Sequence, residues 1–284
     1  MKTFLDKMKD LKAEECARRG LQISEEELRE KISGLPIPNS LSTALIHNSG
    51  NSPAIIAEIK ARAPGRENVS ELKLESVIRD YESGGAAAIS VLTDEQYFGG
   101  SLESLATAST LTDLPLLHKE FIFSPYQLLE GRIRGASAAL ILAYYFTEEE
   151  LRSILEEARN IGLECVVEVS LESEVPGVLA VNPDLLMVNN RAIAALPENP
   201  TKTYMQGSPQ VTVDYWNHHA DLRKWKQQPG KLLISASSVS TPADTAVLAS
   251  VPCDAVLVGN AAMTATDRVS FLHSLNTPVQ SHAA

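Results

Sequence analysis

Eight short apolar runs recur along this chain, and stretches with helical periodicity separate them. The runs cover residues 54–60, 86–92, 115–121, 138–146, 164–170, 185–190, 231–237 and 255–259. Near-continuous apolar runs of this length are typical of parallel strands that are covered on both faces. Strands that alternate with helices in this way predict an α/β fold.

The number of runs favours a closed sheet, although an open doubly wound sheet would give a similar alternation. The chain has 284 residues, close to the roughly 250 residues of a (β/α)₈ barrel. We therefore predict a (β/α)₈ TIM barrel with an N-terminal helical extension.

Helices are predicted before the first strand. Apolar residues recur at helical spacing from Phe4 to Leu11, and Ser24 with Glu27 forms a capping-box pattern. Residues 34–53 are rich in Pro, Asn, Ser and Gly and predict a linker. The predicted division is a helical extension and linker over 1–45, a barrel over 46–275 and a flexible tail over 276–284.

Two segments fit the alternation less well. Residues 191–230 contain four prolines and predict a long, decorated loop. The helix expected over 171–181 is interrupted by Pro176.

The net charge of −11 argues against a nucleic-acid or anionic-membrane partner, because phosphate groups bind to basic surfaces. The charged N-terminus lacks the apolar region of a signal peptide, and no run approaches the roughly 20 apolar residues of a membrane span. A cytoplasmic protein is expected.

The cysteines and histidines predict neither a disulfide framework nor a metal site. Cys16, Cys165 and Cys253 form no CxxC pair, and the six histidines lack metal-ligand spacing. His218 and His219 are expected to be solvated. We therefore predict no metal and no cofactor.

Charged or amide side chains stand at the ends of otherwise apolar strands. Barrel active sites form where the carboxyl ends of several strands meet, so we expect these side chains to converge. Lysines and glutamates in one cavity can exchange protons with a substrate, although each alone could be a structural ion pair at the rim. The residues are Glu58, Lys60, Lys119, Glu168, Asn189 and Arg191.

Small residues follow the last two strands, where barrels often bind phosphate. Ser237 and Ser238 follow the seventh strand, and Gly259 and Asn260 follow the eighth. Their backbone N–H groups could reach an anion, while a tight turn chosen for its geometry alone is the alternative.

Several stretches together resemble the indole-3-glycerol-phosphate synthase family of (β/α)₈ enzymes in tryptophan biosynthesis. The similarity runs from about residue 4 to 275 in the order and near the spacing of the family. The stretches are AIIAEIKARAP, YESGGAAAISVLTDEQYFGGSLESL, LLHKEF, VVEVSLESE, VNNR and AVLVGNAAM.

The resemblance implies a lyase that decarboxylates and closes 1-(2-carboxyphenylamino)-1-deoxyribulose 5-phosphate to indole-3-glycerol phosphate, without a cofactor. It implies a small phosphorylated aromatic substrate, and a monomer is the working expectation. Lys119 would be the principal general acid, Glu58 and Lys60 an acid–base pair, and Glu168 a carboxylate that assists dehydration. Asn189 would order these catalytic groups.

The resemblance also implies binding residues. Arg191 would help to order the substrate, and Phe98, Phe121 and Leu140 would hold its aromatic ring. Gly259 and Asn260 would belong to the phosphate cup beside Ser237 and Ser238, and the N-terminal helices would cover the barrel mouth.

The chain departs from the family pattern in three places. Ala63 replaces a serine, Glu120 replaces an aspartate, and Ala236-Ser237-Ser238 replaces Glu-Ser-Gly. These changes remove a carboxylate and a glycine near the substrate. They leave open a diverged enzyme of a specialised pathway, acting on a related aromatic amine joined to a sugar or sugar phosphate, or a non-catalytic paralogue.

Overall fold

A computed structural model describes residues 2–50, 52–62, 73–200 and 206–276. Eight parallel strands close into a barrel in sequence order, with β1 paired to both β2 and β8. The predicted (β/α)₈ barrel is therefore confirmed. The strands are β1 (Ala54–Ile59), β2 (Ala88–Leu92), β3 (Leu116–Ile122), β4 (Ala138–Leu142), β5 (Glu164–Val169), β6 (Leu185–Asn189), β7 (Leu232–Ala236) and β8 (Ala255–Val258).

Helices surround the barrel and precede its first strand. Three of them, α1 (Phe4–Gly20), α2 (Glu25–Ser33) and α3 (Leu41–Asn48), come before β1. The others are α4 (Leu74–Ser83), α5 (Leu102–Leu111), α6 (Pro125–Ile133), α7 (Glu148–Asn160), α8 (Val175–Val181), α9 (Gln210–His218), α10 (Ala220–Lys226), α11 (Pro242–Leu248), α12 (Asn260–Thr264) and α13 (Arg268–Asn276).

Alternation along each strand separates two apolar clusters. In β1, Ile56 packs inside the barrel, while Ile55 and Ile59 pack against the surrounding helices. Since strand side chains alternate between the two faces, Glu58 continues the inward row to the mouth. The same alternation turns Lys119 inward and His118 towards the helices.

Helix α1 lies against the carboxyl-end side of the barrel. The backbone N–H of Phe4 donates to the Leu196 carbonyl at 3.0 Å, and the Tyr145 hydroxyl donates to the Leu5 carbonyl at 3.0 Å. Tyr145 lies in a 3₁₀ turn, so β4 ends at Leu142 rather than extending over the predicted residues to 146. These contacts place the first turn of α1 beside the site.

The predicted linker over 34–53 contains a helix, α3. Ser40 caps it, and buried Leu41 and Leu45 pack with the inner residues at the starts of the strands. The Ser42 N–H donates to the carboxylate of Glu164, the first residue of β5, at 3.0 Å. Helix α3 therefore covers the amino end of the barrel and crosses the predicted boundary at residue 45.

The segment predicted as a long loop, 191–230, also contains helices. Pro209 precedes α9 as its N-cap, and His219 joins α9 to α10. Pro176 likewise occupies the first turn of α8, which begins only at Val175. Proline is tolerated in the first turn of a helix, where its missing N–H would have no partner. These prolines mark helix starts, which the sequence interpretation mistook for breaks.

Within the described residues, no helix combines the length and apolar character needed to cross a bilayer. Residues 277–284 of the predicted tail lie outside the described part of the chain.

His118 gives the fold a testable dependence on pH. It is buried against Gly131 of α6, where a side chain would overlap its ring, and it contacts the Thr93 hydroxyl at 3.0 Å. Burial, with smaller effects from the Arg19 and Lys12 charges, lowers the pKa of His118 to about 3. Between that value and about 6.5 the unfolded chain binds a proton that the folded chain excludes.

We expect the unfolding free energy of the wild type to fall by about 2 kcal/mol because of His118 when the pH is lowered from 7.5 to 5. The loss begins as the pH drops below the pKa of histidine in the unfolded chain. His118→Gln should be less stable at pH 7.5 but should lose that much less on acidification. Urea unfolding at both pH values measures the difference, with exposed His47→Gln as the matched control. Equal acid sensitivity in wild type and His118→Gln would contradict the assignment.

Candidate active site

A cavity opens at the carboxyl ends of the strands, the end of a (β/α)₈ barrel at which active sites form. Charged groups line one part of it and apolar side chains line another. Of the predicted site residues, the following lie in its wall: Glu58, Lys60, Phe98, Lys119, Phe121, Leu140, Glu168, Asn189, Arg191 and Ser237.

Glu58 and Lys60 form a close ion pair at the mouth. The Lys60 Nζ lies 2.5 Å from a Glu58 carboxylate oxygen. The pair fits because residue 259 is glycine. A Cβ atom at Gly259 would overlap the Glu58 carboxylate and lie 2.7 Å from the Lys60 Nζ. The end of β8 therefore leaves room for the pair.

Lys119, Glu168 and Asn189 form the second polar group. The Lys119 Nζ lies 3.7 Å from a Glu168 oxygen, and the Asn189 amide donates to the other Glu168 oxygen at 3.0 Å. The Asn189 side-chain oxygen accepts the Arg191 backbone N–H at 3.1 Å. Strands β3, β5 and β6 thus bring an ammonium, a carboxylate and an amide to one side of the cavity.

The two lysines keep Glu58 ionised. Burial alone would raise the pKa of Glu58, but the charges of Lys60 and Lys119 outweigh it and hold the pKa below the ordinary value. The carboxylate can therefore accept a proton or orient Lys60 at neutral pH. Opposite charges near each other reduce the cost of burying both.

Aromatic side chains form the apolar wall. The ring centroids of Phe98 and Phe121 lie 6.2 Å apart, and Phe4 meets Phe121 edge to face at 5.9 Å. Leu140 and Leu142 of β4 continue this wall. A flat aromatic ligand placed here would lie beside the polar group on β3 and β5.

The predicted phosphate residues are not all in the wall. Ser237 lines the cavity, whereas Ser238, Gly259 and Asn260 lie outside the set of described lining residues. Ser237 and Ser238 both have left-handed backbones, with φ of 69° and 61°, a conformation that favours glycine. Asn260 is the first residue of α12.

Position 236 lies in the wall as alanine, so this end of β7 supplies no carboxylate. Ala63, another departure from the family pattern, lies outside the described residues.

Other lining residues were missed by the sequence interpretation. Phe4, Ile193 and Leu196 line the cavity because α1 and the segment after β6 pack together over it. Leu142 lines it from the end of β4. Glu120, which the sequence analysis noted only as the replacement of an aspartate, also lines the cavity. The position of Glu120 between Lys119 and Phe121 at the end of β3 could have indicated its place in the wall. The other missed lining residues depend on tertiary packing, which no local pattern predicts.

Among the described residues, no group of three or more His, Cys, Asp or Glu side chains is arranged to hold a metal ion. His218 and His219 both contact Glu172, at 3.0 and 3.3 Å, with His218 more than half exposed. The absence of a cofactor stays a prediction.

A closed parallel barrel with lysine–glutamate pairs and an aromatic wall at its carboxyl end defines a (β/α)₈ enzyme suited to acid–base chemistry. Comparison with known proteins identifies the family. Residues 5–275 match the profile of indole-3-glycerol phosphate synthase.

Relatives named indole-3-glycerol phosphate synthase cover most of the chain. The protein from Roseiflexus castenholzii is 33% identical over 277 residues, 94% of this chain and 96% of its own length. That from Parafrankia sp. is 33% identical over 88% of this chain and 86% of its own length. That from Bacteroides thetaiotaomicron is 35% identical over 65% and 72%, respectively.

The chain belongs to the indole-3-glycerol phosphate synthase family. It is therefore a member of a family of carboxy-lyases of tryptophan biosynthesis.

The close approach of Gly259 to the Glu58–Lys60 pair can be tested by Gly259→Ala. The added methyl group should push the buried Glu58 carboxylate and the Lys60 ammonium aside, so the unfolding free energy should fall by about 1–3 kcal/mol. Turnover should fall by about 10²-fold or more, because a general acid–base pair would be misplaced. Urea unfolding and steady-state kinetics measure both effects.

Gly20→Ala is the matched control, since a Cβ there meets no atom within 4 Å. A Gly259→Ala protein with wild-type turnover would show that the position of the pair is unimportant.

Proposed function

We propose that this chain closes and decarboxylates 1-(2-carboxyphenylamino)-1-deoxyribulose 5-phosphate to indole-3-glycerol phosphate. The observation that carries the proposal is the placement of Lys119 between a carboxylate and an aromatic wall in one cavity. Lys119 approaches Glu168 on one side, and Phe121, two residues along the same strand, belongs to the apolar wall.

Ring closure needs an acid and a fixed aromatic ring. The ring carbon that bears the carboxyl group attacks the ketone carbon, and the ketone oxygen takes up a proton. Lys119 donates that proton, while Phe98 and Phe121 hold the ring so that the reacting carbons meet. Loss of carbon dioxide then restores the aromatic ring.

Dehydration needs an acid and a base. The hydroxyl formed from the ketone leaves as water after it gains a proton, and loss of a proton from the adjacent carbon completes the indole. Glu168 assists removal of this proton, with Asn189 fixing the orientation of its carboxylate. The Glu58–Lys60 pair at the end of β1 supplies a second acid–base group in the same cavity.

Fewer of the described residues are placed to bind the substrate phosphate than to bind its aromatic ring. We assign Ser237 to this end of the substrate, with Ser238, Gly259 and Asn260 in the surrounding loops. Arg191 lies in the wall and can contact an anionic group of the substrate.

Neither alternative raised by the departures is favoured by the family relationship. The cytoplasmic location, the monomeric state and the lack of a nucleic-acid partner stay predictions.

Lys119→Ala tests the role of the proposed acid. Purified protein is incubated with the anilino-deoxyribulose phosphate, and indole fluorescence is followed. We expect wild-type turnover and a loss of about 10²–10⁴-fold in Lys119→Ala, since a positioned general acid contributes on that order. Circular dichroism checks that the variant is folded.

Exposed Lys224, paired with Asp221 on α10, provides the control variant Lys224→Ala, which should keep full activity. Near-normal turnover in Lys119→Ala would remove Lys119 from the mechanism, and an inactive wild type would contradict the proposed function itself.

Ala236→Glu tests whether the missing carboxylate limits the rate. Position 236 lies in the wall next to Ser237, so a glutamate there can contact the substrate. If the native site lacks a needed carboxylate, kcat should rise by about 10²-fold, the lower end of the effect of a positioned acid–base group. Ala236→Gln controls for size, and an unchanged or lower kcat in Ala236→Glu would show that the site works without that carboxylate.

A further inference from the structure

Helix α1 carries a lysine that is buried against the barrel. Lys12 is 1% exposed, and its Nζ lies 2.8 Å from Asp94, 3.0 Å from Glu15 and 3.4 Å from Glu120. Burial by itself would lower the pKa of Lys12, but the charges of Glu120 and Asp94 outweigh it and raise the pKa. The ammonium therefore stays charged.

One of these carboxylates connects Lys12 to the loop after β2. Asp94 is fully buried, and its second oxygen accepts the backbone N–H groups of Tyr97 at 2.6 Å and Phe98 at 3.1 Å. Charge-assisted hydrogen bonds of this kind fix backbone position more strongly than neutral ones. Lys12 thus restrains the turn that carries Phe98 into the cavity wall.

A second carboxylate, that of Glu120, connects Lys12 to β3. Glu120 lies between Lys119 and Phe121, and one of its oxygens accepts the Phe121 backbone N–H at 2.9 Å. The other oxygen accepts the Thr93 hydroxyl at 2.9 Å. The Lys12 ammonium therefore joins, through two carboxylates, the two backbone segments that carry the aromatic wall.

We propose that Lys12 is a positioning residue that sets the spacing of Phe98 and Phe121 through Asp94 and Glu120, and thereby the affinity for the aromatic ring of the substrate. The choice of that ligand rests on the proposed function, whereas the coupling of Lys12 to the two rings does not.

A merely structural role explains this arrangement less well. Helix α1 is also held by buried Leu5 and Met8 and by the Tyr145–Leu5 hydrogen bond. A buried ion pair is often no more stabilising than apolar residues of the same size. What the charged arrangement adds is a defined geometry at Asp94 and Glu120.

The kinetic test compares Lys12→Met and Lys12→Arg with Arg18→Met, which removes a charge from the exposed side of the same helix. We expect Lys12→Met to raise KM about tenfold with kcat changed less than about threefold, as when binding alone is lost. Lys12→Arg should recover part of this loss, and Arg18→Met should match wild type. An unchanged KM with only a lower Tm would overturn the proposal.

A double-mutant cycle identifies the route of the effect. If Lys12 acts through the aromatic wall, adding Lys12→Met to Phe98→Ala should raise KM by less than about twofold, because coupled residues are not additive. Fully additive effects would mean that Lys12 acts independently of Phe98, which contradicts the proposal.

A measurement without substrate separates this inference from the proposed function. Fluorine NMR of protein labelled with 3-fluorophenylalanine reports on each ring, and single Phe→Leu variants assign the signals. Lys12→Met should shift or broaden the signals of Phe98 and Phe121 but leave that of Phe271 on α13 unchanged. Unmoved Phe98 and Phe121 signals would overturn the proposal even if wild type turns over normally, and shifted signals would support it even if wild type is inactive.

Discussion

The closed ring of parallel strands is the constraint on which the site depends. Side chains alternate between the barrel interior and the helical layer, so each inward row ends at the mouth. Glu58, Lys119 and Glu168 are inward residues near the ends of three different strands. Closure brings them to one cavity, and an open sheet would leave them along an edge.

Opposite charges make this convergence tolerable. A single buried ion would be expensive, but each glutamate here approaches a lysine. The same contacts prepare the chemistry, since they hold Glu58 ionised despite burial. A third set of paired charges, around Lys12, lies outside the reacting groups and links the N-terminal extension to the aromatic wall.

The departures from the family pattern leave the lysines and glutamates of the two polar groups in place. Ala236 removes a carboxylate from the wall, and Ser237 and Ser238 adopt left-handed backbones where glycine would be favoured. The Asn190 amide donates to the Ser237 carbonyl at 2.9 Å, which helps to hold this turn. The acid–base residues are retained, which is consistent with family chemistry on altered substrate contacts.

The sequence alone determined the eight strands and the convergence of their polar ends, because strand periodicity and cap patterns such as Ser24 with Glu27 are local. The apolar wall residues Phe98, Phe121 and Leu140 were expected only from the family resemblance. It misjudged residues 34–53 and 191–230, where prolines and small polar residues suit helix starts as well as loops. Only the tertiary structure decided that Phe4 lines the cavity and that Lys12 meets Asp94 and Glu120. Those contacts join residues about 80 to 110 positions apart, and no local pattern specifies which distant groups a closed barrel will bring together.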